Sequence, residues 1–418
     1  MSSSEKAASS PQKPRRLLVV SQHFWPENFR ISDIVEGFVE RGIQVDVLCG
    51  LPNYPAGEWF EGYRYTSPRR QQYKGAEVFR SGEIRRKGNT SLRIFLNYAS
   101  FPFFALFNLP RLWGRKYDAV LCYETSPVLM IFPAIVAARQ RRIPLVTYVL
   151  DLWPDNLYSV LSVRSAFWRG VAQKVSDWHY RRSTRLIAMT GAMAQKLAEA
   201  TRKPLQAIPV IPQYCEDFYA QDTPDPALQK QYGGTFNLLF AGNISPAQDL
   251  ENLLQALKIL HNAGHTDIRC LLLGDGMSKA PLTSLAAELG ISDSFVFCGS
   301  CPPADIPRWT TLADALFAGL VSSENLGFTV PAKITSYFAA GRPMLVAADD
   351  EAARVSAESG AALVSPAGDS AALAANILEL YHASPARRAE MGAAGRKTYY
   401  EHYTREKGLD ALLDVIFP

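Results

Sequence analysis

A lysine in the first turn of a short predicted helix is the residue best placed for chemistry in this sequence. The segment VPAKITSYFAAGRP (330–343) predicts a helix that begins at Pro331 and ends at Gly341, because proline favours a first turn and glycine a C-terminus. Lys333 falls in the first turn, where a cation opposes the helix dipole, and Ser336 follows on the same face. Lys333 either binds an anion or only extends into solvent. We favour the anion.

Polar and glycine-containing loops follow buried apolar runs in the same half of the chain. FNLLFAG (236–242) leads into NISPAQDL, which predicts a helix beginning near Pro246. Free N–H groups at such a start bind anions, unless Ser245 merely caps the helix. The sequence GDG (274–276) predicts a tight turn close to a ligand rather than a dinucleotide fingerprint, because Lys279 replaces the last glycine of that pattern. The candidate donor-binding residues of this half are Gly242, Asn243, Gln248, Gly274, Gly276, Lys333, Ser336, Glu351 and Arg354.

The first half carries its own candidates where predicted strands end. The turn SQHFWPENFR (21–30) precedes a helix with apolar residues at helical spacing, and a simple connector would use small turn residues instead. GLPNYP and DLWPDN follow two other strands, and their aromatic rings either suit sugar stacking or simply close loops. The aspartates of DLWPDN either face a ligand or form turns. The candidate acceptor-binding residues are His23, Trp25, Asn28, Arg30, Asn53, Tyr54 and Asp155, and Asp151 joins Lys333 as a candidate catalytic residue.

Short apolar runs alternate with helical patterns along the whole chain and must position these side chains. This alternation predicts an α/β fold of two Rossmann-like, doubly wound domains facing each other across a cleft. The expected bounds are a disordered tail at 1–14, a first domain at 15–205, a linker at 206–226, a second domain at 227–382 and returning C-terminal helices at 383–418. The ten predicted strands are 16–22, 44–50, 118–123, 144–150, 185–189, 236–242, 268–274, 295–299, 314–320 and 343–348.

The charge of the chain is divided unevenly between its halves. Residues 1–210 contain 30 Lys and Arg against 16 Asp and Glu, whereas the remaining residues contain 14 against 24. We therefore expect the first half to contact an anionic partner, and nucleic acid is disfavoured because no recognisable binding module is present. The tail lacks the apolar core of a signal peptide. Six cysteines without metal-ligand spacing favour a reducing cytoplasm.

The apolar segment RIFLNYASFPFFALFNLPRLWGRK (93–116) predicts either a core helix or a helix lying in a membrane interface. We expect it to be too short for a bilayer span, and Pro102 and Asn97 interrupt it. Its basic neighbourhood, residues 69–88, favours a peripheral membrane face.

The ordered set of motifs resembles the family-4 glycosyltransferases of the GT-B fold, and within them the WbuB-like subgroup, which is typified by an N-acetyl-L-fucosamine transferase. The similarity covers about residues 15–418. It is carried by SQHFWPENFRISDIV, GLPNYP, DLWPDNL, AGNISPAQDLENLL, GDG, VPAKITSYFAAGRP, DDEAARV and MGAAGRKTYYEHYTREK. The resemblance implies a nucleotide-sugar donor held by the second domain, an acceptor held by the first, retention of anomeric configuration and no metal ion.

This sequence departs from the family pattern at several donor positions. Asn243 and Gln248 stand where common members have arginine and lysine, and Phe328 and Ser336 stand where they have two glutamates. Lys333 therefore becomes the best candidate cation for the donor phosphates, with Arg354 as a helper. Either Glu324 or Glu351 could replace a missing carboxylate. Leu150 takes the place of a histidine found in many members, which leaves Asp151 as the carboxylate of the expected cleft.

The resulting expectation is a hexosyltransferase-type enzyme of surface-polysaccharide, lipopolysaccharide or O-antigen synthesis. Its donor would be a UDP-sugar, with an N-acetylated 6-deoxyhexosamine suggested by the subgroup, and its acceptor a polyprenyl-pyrophosphate-linked saccharide. It would act without a cofactor, as a peripheral protein on the anionic cytoplasmic face of the inner membrane. Two alternatives remain at this point: an inactive scaffold or regulatory subunit of a polysaccharide assembly complex, and a GT-B nucleotide-sugar epimerase.

Overall fold

The computed structural model describes residues 14–154, 165–323 and 327–418 of the chain. Contacts divide the chain into two compact units. Unit 1 comprises Met1–Met189, Ala194–Val210 and Ala411–Pro418, and unit 2 comprises Thr190–Met193 and Ile211–Asp410. This division differs from the expected bounds at the C-terminus, because residues 383–410 group with unit 2 and only the last eight residues return to unit 1.

Unit 1 is built on a seven-stranded sheet in the order β3-β4-β2-β1-β5-β6-β7, parallel except for the β3–β4 pair. Its strands are β1 (Arg16–Val20), β2 (Gln44–Cys49), β3 (Arg70–Tyr73), β4 (Ala76–Arg80), β5 (Ala119–Glu124), β6 (Leu145–Val149) and β7 (Arg185–Ala188). The sequence predicts five of the seven. It misses β3, a polar edge strand with no buried residue, because β3 lacks the apolar run that marks the others. It also misses β4, in which Glu77 and Arg80 interrupt a short apolar run.

The helices of unit 1 cover its sheet. Among the described residues they are α1 (Ile31–Glu40), α2 (Ser91–Asn108), α3 (Ile131–Arg141), α4 (Ala166–Arg181) and α5 (Gly191–Thr201), the last beginning in the short segment assigned to unit 2. The predicted apolar stripe of α1 is buried, with Ile31, Val35 and Phe38 fully enclosed. The expectation that the α2 segment is too short to span a bilayer is wrong by length and composition, since Ser91–Leu112 passes both criteria. However, 44% of its most apolar window is buried within the protein.

Unit 2 is built on a six-stranded parallel sheet in the order β10-β9-β8-β11-β12-β13. Its strands are β8 (Phe236–Ala241), β9 (Ile268–Leu273), β10 (Phe295–Gly299), β11 (Ala315–Gly319), β12 (Met344–Ala347) and β13 (Ala362–Ser365). The five predicted strands are present. The unpredicted strand is β13, a four-residue edge strand with only one buried residue.

The helices of unit 2 include one whose predicted start is wrong. They are α6 (Pro226–Tyr232), α7 (Leu250–Asn262), α8 (Lys279–Glu288), α9 (Ile306–Thr310), α10 (Ala332–Ala340), α11 (Asp350–Glu358), α12 (Ser370–His382), α13 (Pro385–His402) and α14 (Arg405–Ile416). The helix after β8 begins at Leu250 rather than near Pro246. Residues 246–248 form a single 3₁₀ turn, and Asp249 has a left-handed φ of 49°, which interrupts the helical backbone.

Each sheet reverses its direction of winding beside its first strand. In unit 1 the chain adds β2 on one side of β1 and then β5 on the other, and in unit 2 it adds β9 on one side of β8 and then β11 on the other. Loops that leave the carboxyl ends of strands on either side of such a reversal diverge, and ligands of parallel α/β sheets bind in the crevice between them. The loops after β1 and β8 are therefore the first places to look for a site.

Candidate functional site

Lys333 reaches from the first turn of α10 to the reversal point of the unit 2 sheet. Its Nζ atom lies 3.7 Å from the centroid of the Phe240 ring near the end of β8 and donates a hydrogen bond to Oε1 of Gln248. A Cβ atom added to Gly242 would lie 3.4 Å from the same nitrogen. The predicted anion-binding lysine, the glycine after β8 and the loop glutamine are thus brought together in one place.

Lys333 is partly buried, and no described residue neutralises its ammonium group. Within residues 14–154, 165–323 and 327–418, no carboxylate lies within ion-pair distance of Nζ. Burial lowers the pKa of Lys333 to about 7. A cation removed from water without a counter-ion is unfavourable, so this site gains stability when an anion enters it.

The loops after β8 and β9 touch each other backbone to backbone. A Cβ at Gly274 would lie 1.9 Å from the carbonyl oxygen of Gly242, and one at Gly276 would lie 2.2 Å from the carbonyl oxygen of Ile244. Both glycines have positive φ, 141° and 156°. Gly276 also approaches the exposed Asn243, whose Oδ1 would lie 2.7 Å from the added Cβ. Only glycine fits this approach, which leaves a side-chain-free edge beside Lys333.

The hydroxyl groups of Ser336 and Tyr337, which follow Lys333 in α10, form hydrogen bonds within the protein. The Ser336 hydroxyl donates to the carbonyl oxygen of Lys333, 2.9 Å away, and so bonds within its own helix. The buried Tyr337 hydroxyl accepts a hydrogen bond from the N–H of Ala241, also at 2.9 Å. Tyr337 therefore fixes α10 against the end of β8 and holds the first turn, with Lys333, in register.

The start of α7 carries an acidic residue directly before its first helical residue. Asp249 precedes Leu250, and its carboxylate accepts hydrogen bonds from the N–H of Gly368 and the side-chain amide of Asn252. This carboxylate makes no capping bond to the first N–H groups of the helix. Whether this helix N-terminus binds an anion therefore stays a prediction, although its start lies four residues later than expected.

Glu351 and Arg354 lie together in the first turns of α11. Glu351 is buried and accepts hydrogen bonds from Arg354 at 2.7 and 3.1 Å and from the N–H of Gly191 at 3.2 Å. Arg354 is half-exposed and also bonds both oxygens of Glu358, which together with Glu351 raises the pKa of its guanidinium. Because two carboxylates hold Arg354, it would have to give up one of them to contact a phosphate.

In unit 1, His23 and Glu27 form a buried pair directly after β1. Nδ1 of His23 lies 2.9 Å from Oε2 of Glu27, and the other carboxylate oxygen accepts the N–H groups of Asn53 and Tyr54, both at 2.7 Å. The His23 ring stacks on Phe29, with 4.6 Å between centroids. Sequence reasoning missed Glu27, although its position four residues after His23 was a signal. The pair ties the loop after β1 to the loop after β2.

The remaining unit 1 candidates surround this pair with exposed groups. Trp25 is 41% exposed, Tyr54 is 38% exposed, and Asn28 is exposed beside them. The guanidinium of Arg86 lies 5.0 Å from the centroid of the Tyr54 ring. Arg30 immediately precedes α1. Together they place aromatic rings, an amide and cations at the carboxyl edge of the sheet.

Two further buried carboxyl groups, Glu83 and Glu124, lie at this edge and were not predicted from the sequence. Glu83 accepts hydrogen bonds from the side-chain amides of Asn53 and Asn97, and burial raises its pKa. Glu124 ends β5 fully buried, with neither carboxyl oxygen hydrogen-bonded in the part of the chain that the structure describes. Burial and then the charge of Asp151 raise the pKa of Glu124. Asp151 follows β6 as predicted, whereas Asp155 and Glu324 lie outside the described residues.

Two domain families match the chain along most of its length. A family described as glycosyl transferase 4-like domain matches residues 28–212, and one described as glycosyl transferases group 1 matches residues 225–398. A 2-deoxystreptamine glucosyltransferase of Streptomyces kanamyceticus is 27% identical over 234 residues, which are 54% of this chain and 59% of that enzyme. That match thus spans less than two thirds of the relative.

Solved structures resemble the chain over nearly its whole length. The Anabaena protein HepE in complex with UDP matches with a TM-score of 0.69 and 15% identity, covering 96% of this chain and 99% of that one. WaaG, a glycosyltransferase involved in lipopolysaccharide biosynthesis, matches with a TM-score of 0.66 and 14% identity over 96% of this chain and 99% of its own. At these identities the likeness shows the fold, and the predicted pair of Rossmann-like α/β sheets is confirmed.

Proposed function

We propose that this chain, a glycosyltransferase with a glycosyl transferase 4-like domain and a group 1 domain, moves a sugar from a UDP-sugar to a polyprenyl-pyrophosphate-linked saccharide. The predicted hexosyltransferase-type enzyme is confirmed by the two families. The donor, the acceptor, the WbuB-like subgroup and the stereochemistry are parts of the proposal.

The observation that carries the proposal is the Lys333 ammonium at the reversal point of the unit 2 sheet, which no carboxylate of the described residues neutralises. Its nitrogen lies beside Gly242 and Gln248, next to the edge that Gly274 and Gly276 keep free of side chains. A diphosphate placed there meets a cation and approaches backbone closely. HepE, a structural relative, was solved with UDP, which supports a uridine nucleotide as the ligand of this site.

The transfer proceeds with retention and without a metal ion in this proposal. The bond from the sugar's anomeric carbon to the diphosphate oxygen breaks, and the acceptor hydroxyl oxygen bonds to the same face of that carbon. Its proton passes to the departing phosphate oxygen. The charge that develops on the diphosphate is stabilised by Lys333, so the protein contributes by positioning and electrostatics.

The acceptor lies against unit 1 in this proposal. The buried His23–Glu27 pair and Asn53 hold a polar and aromatic wall in place. Its accessible groups are those of Trp25, Asn28, Arg30 and Tyr54. Asp151 supplies a carboxylate near the end of β6, where it supports the positive charge of an oxocarbenium-like transition state. An N-acetylated 6-deoxyhexosamine as the transferred sugar rests on the resemblance to the WbuB-like subgroup.

We place the enzyme on the cytoplasmic face of the inner membrane through α2. One face of this helix packs inward through Ile94, Phe101 and Ala105, while the other face is exposed. The exposed apolar residues are Leu92, Phe95, Phe103, Phe104 and Phe107. Lys87, Arg93 and Arg111 flank them. An apolar face with basic flanks is typical of helices that lie in an anionic membrane interface, where the lipid-linked acceptor is presented.

The test of this function is calorimetric titration of the full chain with UDP, GDP, dTDP and ADP, with EDTA present throughout. We expect selective binding of UDP, lost in Lys333→Ala, and turnover of a UDP-sugar lowered about a hundredfold in that variant. A folded wild-type protein that binds no nucleotide, or a Lys333→Ala protein with unchanged turnover, would contradict the proposal.

A further inference from the structure

A cavity of about 620 Å³ opens in the loop that joins β2 to β3 in unit 1. It is lined by residues 58–66 together with Arg85, and we call it the loop cavity. Its size falls within the roughly 300–1,000 Å³ typical of small-molecule sites. None of its lining residues takes part in the donor or acceptor contacts described above, so the cavity has no assigned ligand.

Aromatic rings form much of the loop cavity. The rings of Trp59 and Tyr65 meet edge to face with 5.1 Å between centroids, and Tyr65 is 53% exposed. Phe60 joins them, and Tyr63 lies buried beneath the Arg80 guanidinium, 5.1 Å from its ring centroid. Solvent-facing aromatic surface held in a concave loop favours a ligand with a flat, weakly polar face.

The charges of the loop cavity cancel. Glu58 and Glu61 are matched by Arg64 and Arg85, and Arg85 bonds Glu58 at 2.5 Å while lying 5.5 Å from the centroid of the Trp59 ring. A neutral lining does not favour a nucleotide or a free phosphate, and carboxylates disfavour an alkyl chain. Carboxylates accept hydrogen bonds from hydroxyl groups, and guanidinium groups donate to them.

A pyranose ring has the chemistry that this combination would recognise. Its C–H groups carry partial positive charge and pack on the electron-rich face of an aromatic ring, while its hydroxyl groups lie around the edge. Trp59 and Tyr65 offer the faces, and the acidic and basic side chains offer partners for the edge. The class of ligand indicated is therefore a saccharide.

The loop is held in shape without a ligand. The Arg64 N–H donates to the Ser67 hydroxyl at 2.7 Å, and the Tyr65 carbonyl accepts from Arg69 at 2.7 Å. The Tyr65 hydroxyl donates to the carbonyl oxygen of Glu83 at 3.0 Å. A site fixed in this way loses little conformational freedom when it binds.

The loop cavity adjoins the acceptor wall. Arg85 lies over Trp59 in the cavity, and its chain neighbour Arg86 lies over Tyr54 in the wall. Glu83 also connects the loop cavity to the acceptor wall, because its carbonyl oxygen accepts a hydrogen bond from Tyr65 and its carboxylate accepts one from Asn53. A chain of sugars can therefore lie with one residue on the wall and the next in the cavity.

We infer that the loop cavity is a saccharide subsite that binds the acceptor sugar next to the one that receives the transferred group. This inference rests on the proposed function, since it assigns a second contact to the same acceptor. Trp59 is the central recognition residue, and the cavity selects acceptors that carry at least two sugars.

The test is saturation-transfer NMR of the full chain with methyl glycosides of N-acetylglucosamine, N-acetylgalactosamine and L-fucose and with N,N′-diacetylchitobiose. We compare wild type with Trp59→Leu, which removes the ring face, and with Glu61→Gln, which keeps the shape of an exposed lining residue. Trp113→Leu is the matched control, because Trp113 is 65% exposed and lies outside the cavity. Melting temperature and UDP affinity are measured for every variant.

We expect at least one saccharide to bind wild type and Trp113→Leu equally and Trp59→Leu about tenfold more weakly, the loss that corresponds to one aromatic contact. Equal affinity for wild type and Trp59→Leu overturns the inference, as does the absence of any saccharide signal. If Trp59→Leu does not fold, weaker binding by Glu61→Gln supports the subsite and unchanged binding contradicts it. The UDP titration separates the proposed donor site from the proposed saccharide subsite, because a wild-type protein that binds saccharide but not UDP would contradict only the donor site.

Discussion

Lys333 combines two properties that conflict in the absence of a ligand. Its ammonium group lies against the Phe240 ring and bonds a neutral amide, and in the described part of the chain no carboxylate neutralises it. Even partial burial of such a charge opposes folding, and an anion bound beside it would reduce the penalty. Stability and function therefore make opposite demands on this position.

Replacing Lys333 with methionine separates these demands. Methionine keeps most of the side-chain length and removes the charge, so we expect the melting temperature to rise by a few degrees while UDP binding falls at least about tenfold. Thermal unfolding and calorimetry measure the two effects. A lower melting temperature together with intact UDP binding would show that the lysine serves the fold instead.

The low pKa of Lys333 also predicts how nucleotide binding depends on pH. The lysine is charged below about pH 7 and neutral above it in the free protein, and an anion stabilises the charged form. Binding above pH 7 therefore takes up a proton, and we expect affinity for UDP to fall roughly tenfold for each pH unit above the pKa. Calorimetry at about pH 8.5 in buffers of different ionisation enthalpy measures the proton taken up. Lys333→Met should bind with little dependence on pH.

Individual site residues are predictable from the sequence where local pattern places them, and not where distant packing does. Lys333 follows from its place in a helix that begins after proline, and the structure has it there. Its contacts with Phe240 and Gln248 come from residues more than eighty positions away. Glu124 ends an otherwise apolar strand, and nothing in its neighbours along the chain indicates that it will meet Asp151.

At the scale of elements, the two loops beside Lys333 depend on glycine for their contact. The N–H of Gly242 donates to the Leu273 carbonyl, and the N–H of Ile244 donates to the Asp275 carbonyl, both at 2.9 Å. These bonds continue the β8–β9 pairing past the strand ends. The edge of the donor site is therefore an extension of the sheet, and its rigidity comes from the strands.

Gly274→Ala should disrupt this extension. The added Cβ would lie 1.9 Å from the Gly242 carbonyl oxygen, so the loops must separate, and we expect UDP affinity to fall at least about tenfold with a lower melting temperature. Gly264→Ala is the matched control. Gly264 also has positive φ, 95°, but a Cβ there meets nothing within 4 Å, so it reports backbone strain without the clash. Equal effects of the two variants on UDP affinity would show that the contact is unimportant.

The exposed face of α2 makes a separate prediction at this scale. Phe103 and Phe107 are 57% and 68% exposed, with 5.1 Å between their ring centroids. Replacing both with serine removes apolar surface that would enter the membrane interface, and we expect at least about tenfold weaker binding to anionic vesicles. Co-sedimentation measures the effect. Tyr400→Ser, at a tyrosine that is 54% exposed on α13, should bind as wild type does.

Elements were predictable where a buried face imposes a period on the sequence. Fully buried strands such as β1 and β8 read as continuous apolar runs, and α1 shows its stripe directly. No long apolar run marks the polar edge strand β3, the buried but interrupted strand β4 or the short edge strand β13, and pairing with a neighbour decides their structure. The start of α7 could not be read from Pro246, because the left-handed Asp249 intervenes.

At the scale of the whole molecule, basic and acidic residues are concentrated in different parts of the chain, and the proposed acceptor and donor sites lie in those different parts. Residues 1–210 have an excess of Lys and Arg, and they contain α2 and the acceptor wall. Residues beyond 210 have an excess of Asp and Glu, and they contain the partly buried Lys333 of the proposed donor site. Long-range attraction to a membrane would therefore act on one part of the chain.

This separation predicts that salt affects the two kinds of binding differently. Raising ionic strength from about 0.05 M to about 0.5 M screens exposed charges strongly and buried ones much less. We expect vesicle binding to weaken several-fold more than UDP binding over this range. Sedimentation and calorimetry in the same buffers make the comparison, and parallel losses would count against a membrane contact built on surface charge.

The last eight residues have a consequence for how the protein is made. They group with unit 1, where carbonyl oxygens of Val415 and Phe417 accept from Arg185 and Arg15, and Leu412 and Ile416 are buried. The strands of this unit leave the ribosome first, yet its final segment is synthesised after all of unit 2. Unit 1 therefore remains incomplete while unit 2 is being synthesised. During this time the surface that Leu412 and Ile416 later cover is accessible to chaperones.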